Sequence, residues 1–176
     1  MKNLSGFSLI ELLALISIVA ILAAIALPNF SATIKADRDT SQINSVLDGL
    51  SLARSEAIKI GNNVTICAGN NNTCAAANWA NGWIEFYNTL PPGATTSTIR
   101  VFPPISGNDT LTSSGGNSFT FNSTGMLTAP TPSTFILCDT RGPGYGRLID
   151  LNITGRAETA PKAGYQIDGI TPLPGC

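Results

Sequence analysis

At 176 residues, with a formal net charge of -1 and 12% charged side chains, the chain is about one domain long. That balance argues against recruitment of nucleic acid or anionic lipid by bulk charge. It contains no histidine, the commonest metal ligand and general base, and no grouped acid pair, nucleophile–base pair or phosphate loop. No catalytic residue, metal site or cofactor is therefore expected.

Residues 7–27, from Phe7 to Leu27, form an almost unbroken apolar run with a single charge, Glu11. About 20 such residues cross a bilayer core. Three readings compete: a membrane-anchored helix with a further role, a plain single-span anchor, and a secretory signal peptide cut after Ala24-Ile25-Ala26. The run is longer than a usual signal core, and an unpaired carboxylate inside it costs roughly 2.5–3.5 kcal/mol on insertion scales, so Glu11 calls for a partner. Lys2 is the one base ahead of the run, which orients the following chain away from the cytoplasm.

Residues 28–60 change to an amphipathic pattern. Ile43, Val46, Leu47, Leu50, Ala53, Ala57 and Ile60 recur at spacings of three and four, and Gly61-Asn62-Asn63 supplies a C-terminal stop. One helix interrupted near Pro28 is predicted, with Gly49 a second weak point.

Residues 61–176 carry short alternating runs: Val64/Ile66, Ile84/Phe86, Ile99/Val101, Phe119/Phe121, Phe135/Leu137 and Ile149/Leu151/Ile153. Between them lie turn-rich stretches such as Pro91-Pro92-Gly93-Ala94 and Arg141-Gly142-Pro143-Gly144. An antiparallel sheet packed on the amphipathic half-helix follows, an α+β head. Trp79 and Trp83 read as core residues, and Arg54 and Glu56 as a solvated face.

Cys67 and Cys74 flank a polar loop, Ala68 to Thr73, that reads as a hairpin turn. The spacing is too wide for a zinc pair, so Cys67–Cys74 and Cys138–Cys176 disulfides are favoured, in an oxidising compartment. Loop-closure entropy assigns them about 2.5 and about 4 kcal/mol respectively.

Gly6-Phe7-Ser8-Leu9-Ile10-Glu11-Leu12-Leu13 resembles the processing site of type IV prepilins and type II secretion pseudopilins. The resemblance implies a leader, residues 1–6, removed by a prepilin peptidase that cuts between Gly6 and Phe7 and N-methylates Phe7. It also implies that Glu11 faces the N-terminal amine of a neighbouring subunit during assembly. An amine freed by cleavage is the positive charge that makes such a carboxylate tolerable.

Further along, Ala53-Arg54-Ser55-Glu56-Ala57-Ile58-Lys59, Val64-Thr65-Ile66-Cys67, Asn81-Gly82-Trp83-Ile84, Leu137-Cys138-Asp139-Thr140-Arg141-Gly142 and Thr154-Gly155-Arg156 resemble the pseudopilin H/FimT/FimU group of minor pilins. That resemblance implies a pilin fold and a subunit that primes or caps a pilus, with other minor and major pilins as partners. It places the helix in the bacterial inner membrane, single-pass with a periplasmic head, and later in the filament. A minor pseudopilin of a type II secretion system uses the same helix and a similar head, and stands as an alternative.

Another alternative is a DNA-binding minor pilin of natural transformation, with Arg141, Arg147 and Arg156 as candidate contacts. Against it, Gly155-Arg156-Ala157-Glu158 places an acid where the Gly-Arg-x-Arg pattern of DNA-binding relatives has its second arginine. Beyond Asn88, moreover, five basic residues from Arg100 onward face five acidic ones, Asp109, Asp139, Asp150, Glu158 and Asp168. Binding phosphates calls for a cation surplus.

Overall fold

The computed structural model describes residues 7–69, 74, 78–88, 96–129 and 131–176. The leader, most of the loop between Cys67 and Cys74, and the Pro91–Ala94 turn lie outside the described residues. The chain divides into two compact units, Met1–Arg38 and Asp39–Cys176.

Helix α1 spans Leu9–Ile60 and continues through Pro28 and Gly49 as one element, where the sequence suggested an interruption. Its end is built by Gly61, whose φ of 65° is open to glycine and lets the Asn62 N–H reach back to the Ala57 carbonyl at 3.3 Å.

Within the second unit, Ile43, Val46, Leu50, Ala53 and Ala57 of α1 are buried, while Ile60 is exposed. Burying each of the larger apolar side chains on that stripe contributes about 1.5–3 kcal/mol.

Among its described residues the head has two four-stranded antiparallel sheets rather than one. The first runs in the order β3 (Thr96–Phe102), β2 (Trp83–Asn88), β1 (Val64–Ala68), β5 (Ser118–Phe121). The second runs β4 (Thr110–Ser113), β6 (Ser133–Cys138), β7 (Arg147–Leu151), β8 (Ala157–Thr159).

Trp79 links the two sheets. Its ring lies 5.9 Å from Phe119 of β5 and 5.0 Å, edge-on, from Phe135 of β6, and its indole N–H donates to the Gly116 carbonyl at 3.0 Å. A buried tryptophan needs both an apolar bed and a partner for its N–H, and Trp79 has them. Trp83 stacks on Phe102 at 5.0 Å. Both tryptophans are core residues, as expected.

The alternation expected along β2 fails. A bulge sits between Glu85 and Phe86 in the pairing with β3, so Trp83, Ile84 and Glu85 are all buried and Phe86 is only half-buried. The extra residue re-aims the strand's side chains. Gly49 lies where α1 crosses this strand: a Cβ there would sit 2.8 Å from Trp83 Nε1 and 3.2 Å from Glu85 Oε1. The glycine that weakens the helix locally is what lets it approach the sheet.

Candidate assembly and binding sites

In the first unit, the residues from Leu9 to Ile25 show side chains that are exposed nearly all round, with Phe7 at 77% and Leu9 at 79%. In water such a surface is untenable; in hydrocarbon it is the required one. An 18-residue window of α1 reaches a mean hydropathy of 2.8 with none of it buried. The hydroxyl of Ser17 is satisfied internally by the Leu13 carbonyl at 2.7 Å, as a polar group in lipid must be.

The one charge of this run is placed by local chemistry. Ser8 caps the helix: its Oγ accepts from the Glu11 N–H at 3.3 Å, and its carbonyl accepts from Leu12 N–H at 3.2 Å. The Ser8-Leu9-Ile10-Glu11 spacing is that of a capping box, and Glu11 occupies the first turn, where the helix dipole favours a negative charge. The Glu11 backbone is thus fixed one turn from Phe7. Gly6 lies outside the described residues.

The three candidate arginines do not form one surface. Arg141 is spent internally: its Nε binds Asp139 and its Nη2 binds Asp39 of α1, and its guanidinium lies 4.4 Å from the centre of the Tyr145 ring. Burial, then the repulsion of Asp139 and Asp109, raises the pKa of Asp39 despite Arg141. For Asp139, burial pulls upward but the backbone and side-chain hydrogen bonds of Arg141 win and hold it below the usual carboxylate range.

Arg147 opens β7 and donates through Nη2 to Thr40 Oγ1 of α1 at 3.0 Å. Arg156 pairs with the Glu158 carboxylate and is 72% exposed. Because Asn152 N–H donates to the Arg156 carbonyl, Arg156 sits beyond the far end of β7 from Arg147, roughly 15 Å away at strand rise.

Both disulfides are formed, Cys67–Cys74 and Cys138–Cys176, closing separations of 7 and 38 residues. The second holds the tail, whose Leu173 is buried, against the end of β6.

Arg54 is not the solvated residue that the sequence suggested. It is half-buried, and its Nε donates to the Gly125 carbonyl at 3.1 Å. Gly155 packs on that same peptide, where a Cβ would meet the Gly125 oxygen at 2.0 Å. Glu56 is half-buried as well, and pairs with the exposed Lys59 at 3.0 Å.

Sequence reasoning missed Glu85. It is fully buried and neither carboxyl oxygen has a hydrogen-bond partner. Burial pushes its pKa up to about 8, against the pull of Arg100, its cross-strand neighbour, and with a smaller push from Glu56. The only signal for it was an acid between Trp83-Ile84 and Phe86, which reads as an ordinary outward position.

The model of the family described as Type II transport protein GspH matches residues 42–155. Among solved structures the chain is similar to the type IV minor pilin FimU of Pseudomonas aeruginosa, with a TM-score of 0.56 and 24% identity over 69% of this chain and 92% of that one. A second crystal form of FimU gives a TM-score of 0.57 and 23% identity over 75% and 92%. The minor pseudopilin EpsH of the Vibrio cholerae type 2 secretion system gives 0.50 and 13% over 69% and 95%. No curated protein sequence matches the chain.

Proposed function

The chain belongs to the GspH family of type II transport proteins, and from that premise we propose that it is a minor pilin, inserted in the inner membrane, cut between Gly6 and Phe7, and built into a pilus filament that it primes or caps. Its helix enters the filament core and its head contacts other pilins. Such a subunit binds and positions; no residue of it does chemistry.

The observation that carries this reading is the exposed apolar half of α1 with one carboxylate, that of Glu11, in its first turn, where the Glu11 backbone N–H donates to Ser8 Oγ a single turn from Phe7. The amine released at Phe7 of an adjoining subunit is a counter-charge of the right sign and depth. The dispersal of Arg141, Arg147 and Arg156 disfavours a DNA-binding role, since phosphate tracking draws on convergent uncancelled cations.

Glu11→Ala tests the pairing, because its two expected effects have opposite signs. Membrane insertion should stay the same or improve, as an expensive charge is removed, while incorporation into filaments per inserted molecule should fall severely. Quantifying both in cells by membrane fractionation and sheared-filament immunoblots checks this. Poor insertion with normal incorporation would contradict it.

A further inference from the structure

A cavity of about 150 Å³ lies between α1 and the β7–β8 edge of the second sheet. Its polar lining is Arg147, Thr40, Asn44 and Thr159, and its apolar walls include Ile43 and Ala160. No carboxylate lines it among the described residues. Among the described residues the only hydrogen bond of Arg147 is to Thr40, and its Nε is buried with no acceptor.

Strand alternation accounts for the missing acids. Asp150 pairs with Glu158 across β7 and β8, and these two positions point to the opposite sheet face from Arg147, Ile149 and Thr159. A guanidinium with donors to spare, in a cleft without a counter-ion, is an unfinished ion pair.

The geometry points to a docking pocket for one carboxylate side chain, Asp or Glu, presented by a neighbouring subunit. The volume is about half the lower bound for small-molecule sites, too small for a nucleotide or a cofactor. It has room for one side chain, whose methylenes would lie on Ile43 and Ala160 while its carboxylate meets Arg147, flanked by the Thr40 and Thr159 hydroxyls. A nucleic-acid phosphate fits the surroundings less well. Arg141 is occupied by Asp39 and Asp139, and Arg156 is paired to Glu158 at the far end of β7. That the occupant is a neighbouring subunit rests on the filament reading; the binding itself does not.

The test uses the full chain in detergent, labelled with ¹⁵N-arginine and ¹⁵N-threonine so that Arg147, one of six arginines, and the Thr40 and Thr159 amides are followed by NMR. It is titrated with N-acetylglutamate amide, acetate and inorganic phosphate. The glutamate derivative should shift the Arg147 signal saturably, with acetate and phosphate about ten-fold less effective because neither has a stem for the apolar walls.

No saturable shift with any of the three would overturn the site. Phosphate binding as tightly as the glutamate derivative would replace the side-chain occupant with a free anion. Arg147→Gln, checked for unchanged thermal unfolding, should lose the shifts at the Thr40 and Thr159 amides and lower incorporation into filaments several-fold. Normal incorporation of that variant would overturn the neighbouring-subunit assignment. Failure of the wild type itself to incorporate would instead overturn the filament reading, leaving the titration result intact.

Discussion

Glu85→Gln removes a steep loss of stability between pH 4.5 and pH 8. The folded-state pKa of Glu85 is raised from 4.5 to about 8, so the sign is opposite to that of a salt-bridged acid. Below pH 4.5 both the folded and the unfolded chain hold the proton, and its ionisation makes no difference to stability. As pH rises the unfolded chain ionises while the folded chain keeps the proton, and stability falls until about pH 8, beyond which it levels off. The total is about 5 kcal/mol at 1.36 kcal/mol per pH unit.

Gln keeps the same volume and similar unfilled hydrogen-bonding capacity, so the difference between wild type and variant isolates the proton rather than the packing. Urea midpoints of the full chain in detergent at pH 4.5 and pH 8 measure it. A wild type and variant with parallel pH profiles would show that Glu85 is not held protonated.

Arg141→Met destabilises the head by about 3–5 kcal/mol, because it leaves the buried Asp39 and Asp139 carboxylates without the guanidinium they share. At the usual entropy of unfolding that is a fall in Tm of about 10–20 °C. The triple variant Asp39→Asn, Arg141→Met, Asp139→Asn should recover most of the loss, since what destabilises is the uncompensated charge more than the missing pair. Differential scanning calorimetry separates these cases. A single variant within about 1 kcal/mol of wild type, or a triple variant no better than the single, would contradict this account of the network.

How far these sites were legible in the sequence depended on how local their causes are. The helix, its stripe from Ile43 to Ala57 and its stop at Gly61 follow from periodicity and turn chemistry, and all are present. The β-strands that carry two or more apolar residues were legible too. Strands β4, Thr110–Ser113, and β8, Ala157–Thr159, have too little apolar alternation to announce themselves. They exist because β6 and β7 offer them unpaired edges. Ile153, read as the end of a strand, lies instead in the turn after β7.

Non-local causes hid the rest. The burial of Glu85 follows from a bulge whose other side is β3, and the reason for Gly49 lies on β2. The Asp39–Arg141 pair joins residues 102 apart in sequence, a contact no spacing rule reaches. Arg141 and Arg147 both approach the start of the packed part of α1, yet one is neutralised and the other is not. Counting charges along the chain cannot distinguish them.

The central claim is that this chain is a processed filament subunit whose N-terminus begins at Phe7. The most direct measurement is the intact mass of the protein recovered from its own membranes. The account predicts a mature chain lacking residues 1–6, carrying one methyl group on the Phe7 amine, with both disulfides closed. A chain that retains Met1, or one beginning at Leu27 after removal of the whole apolar run, would contradict it.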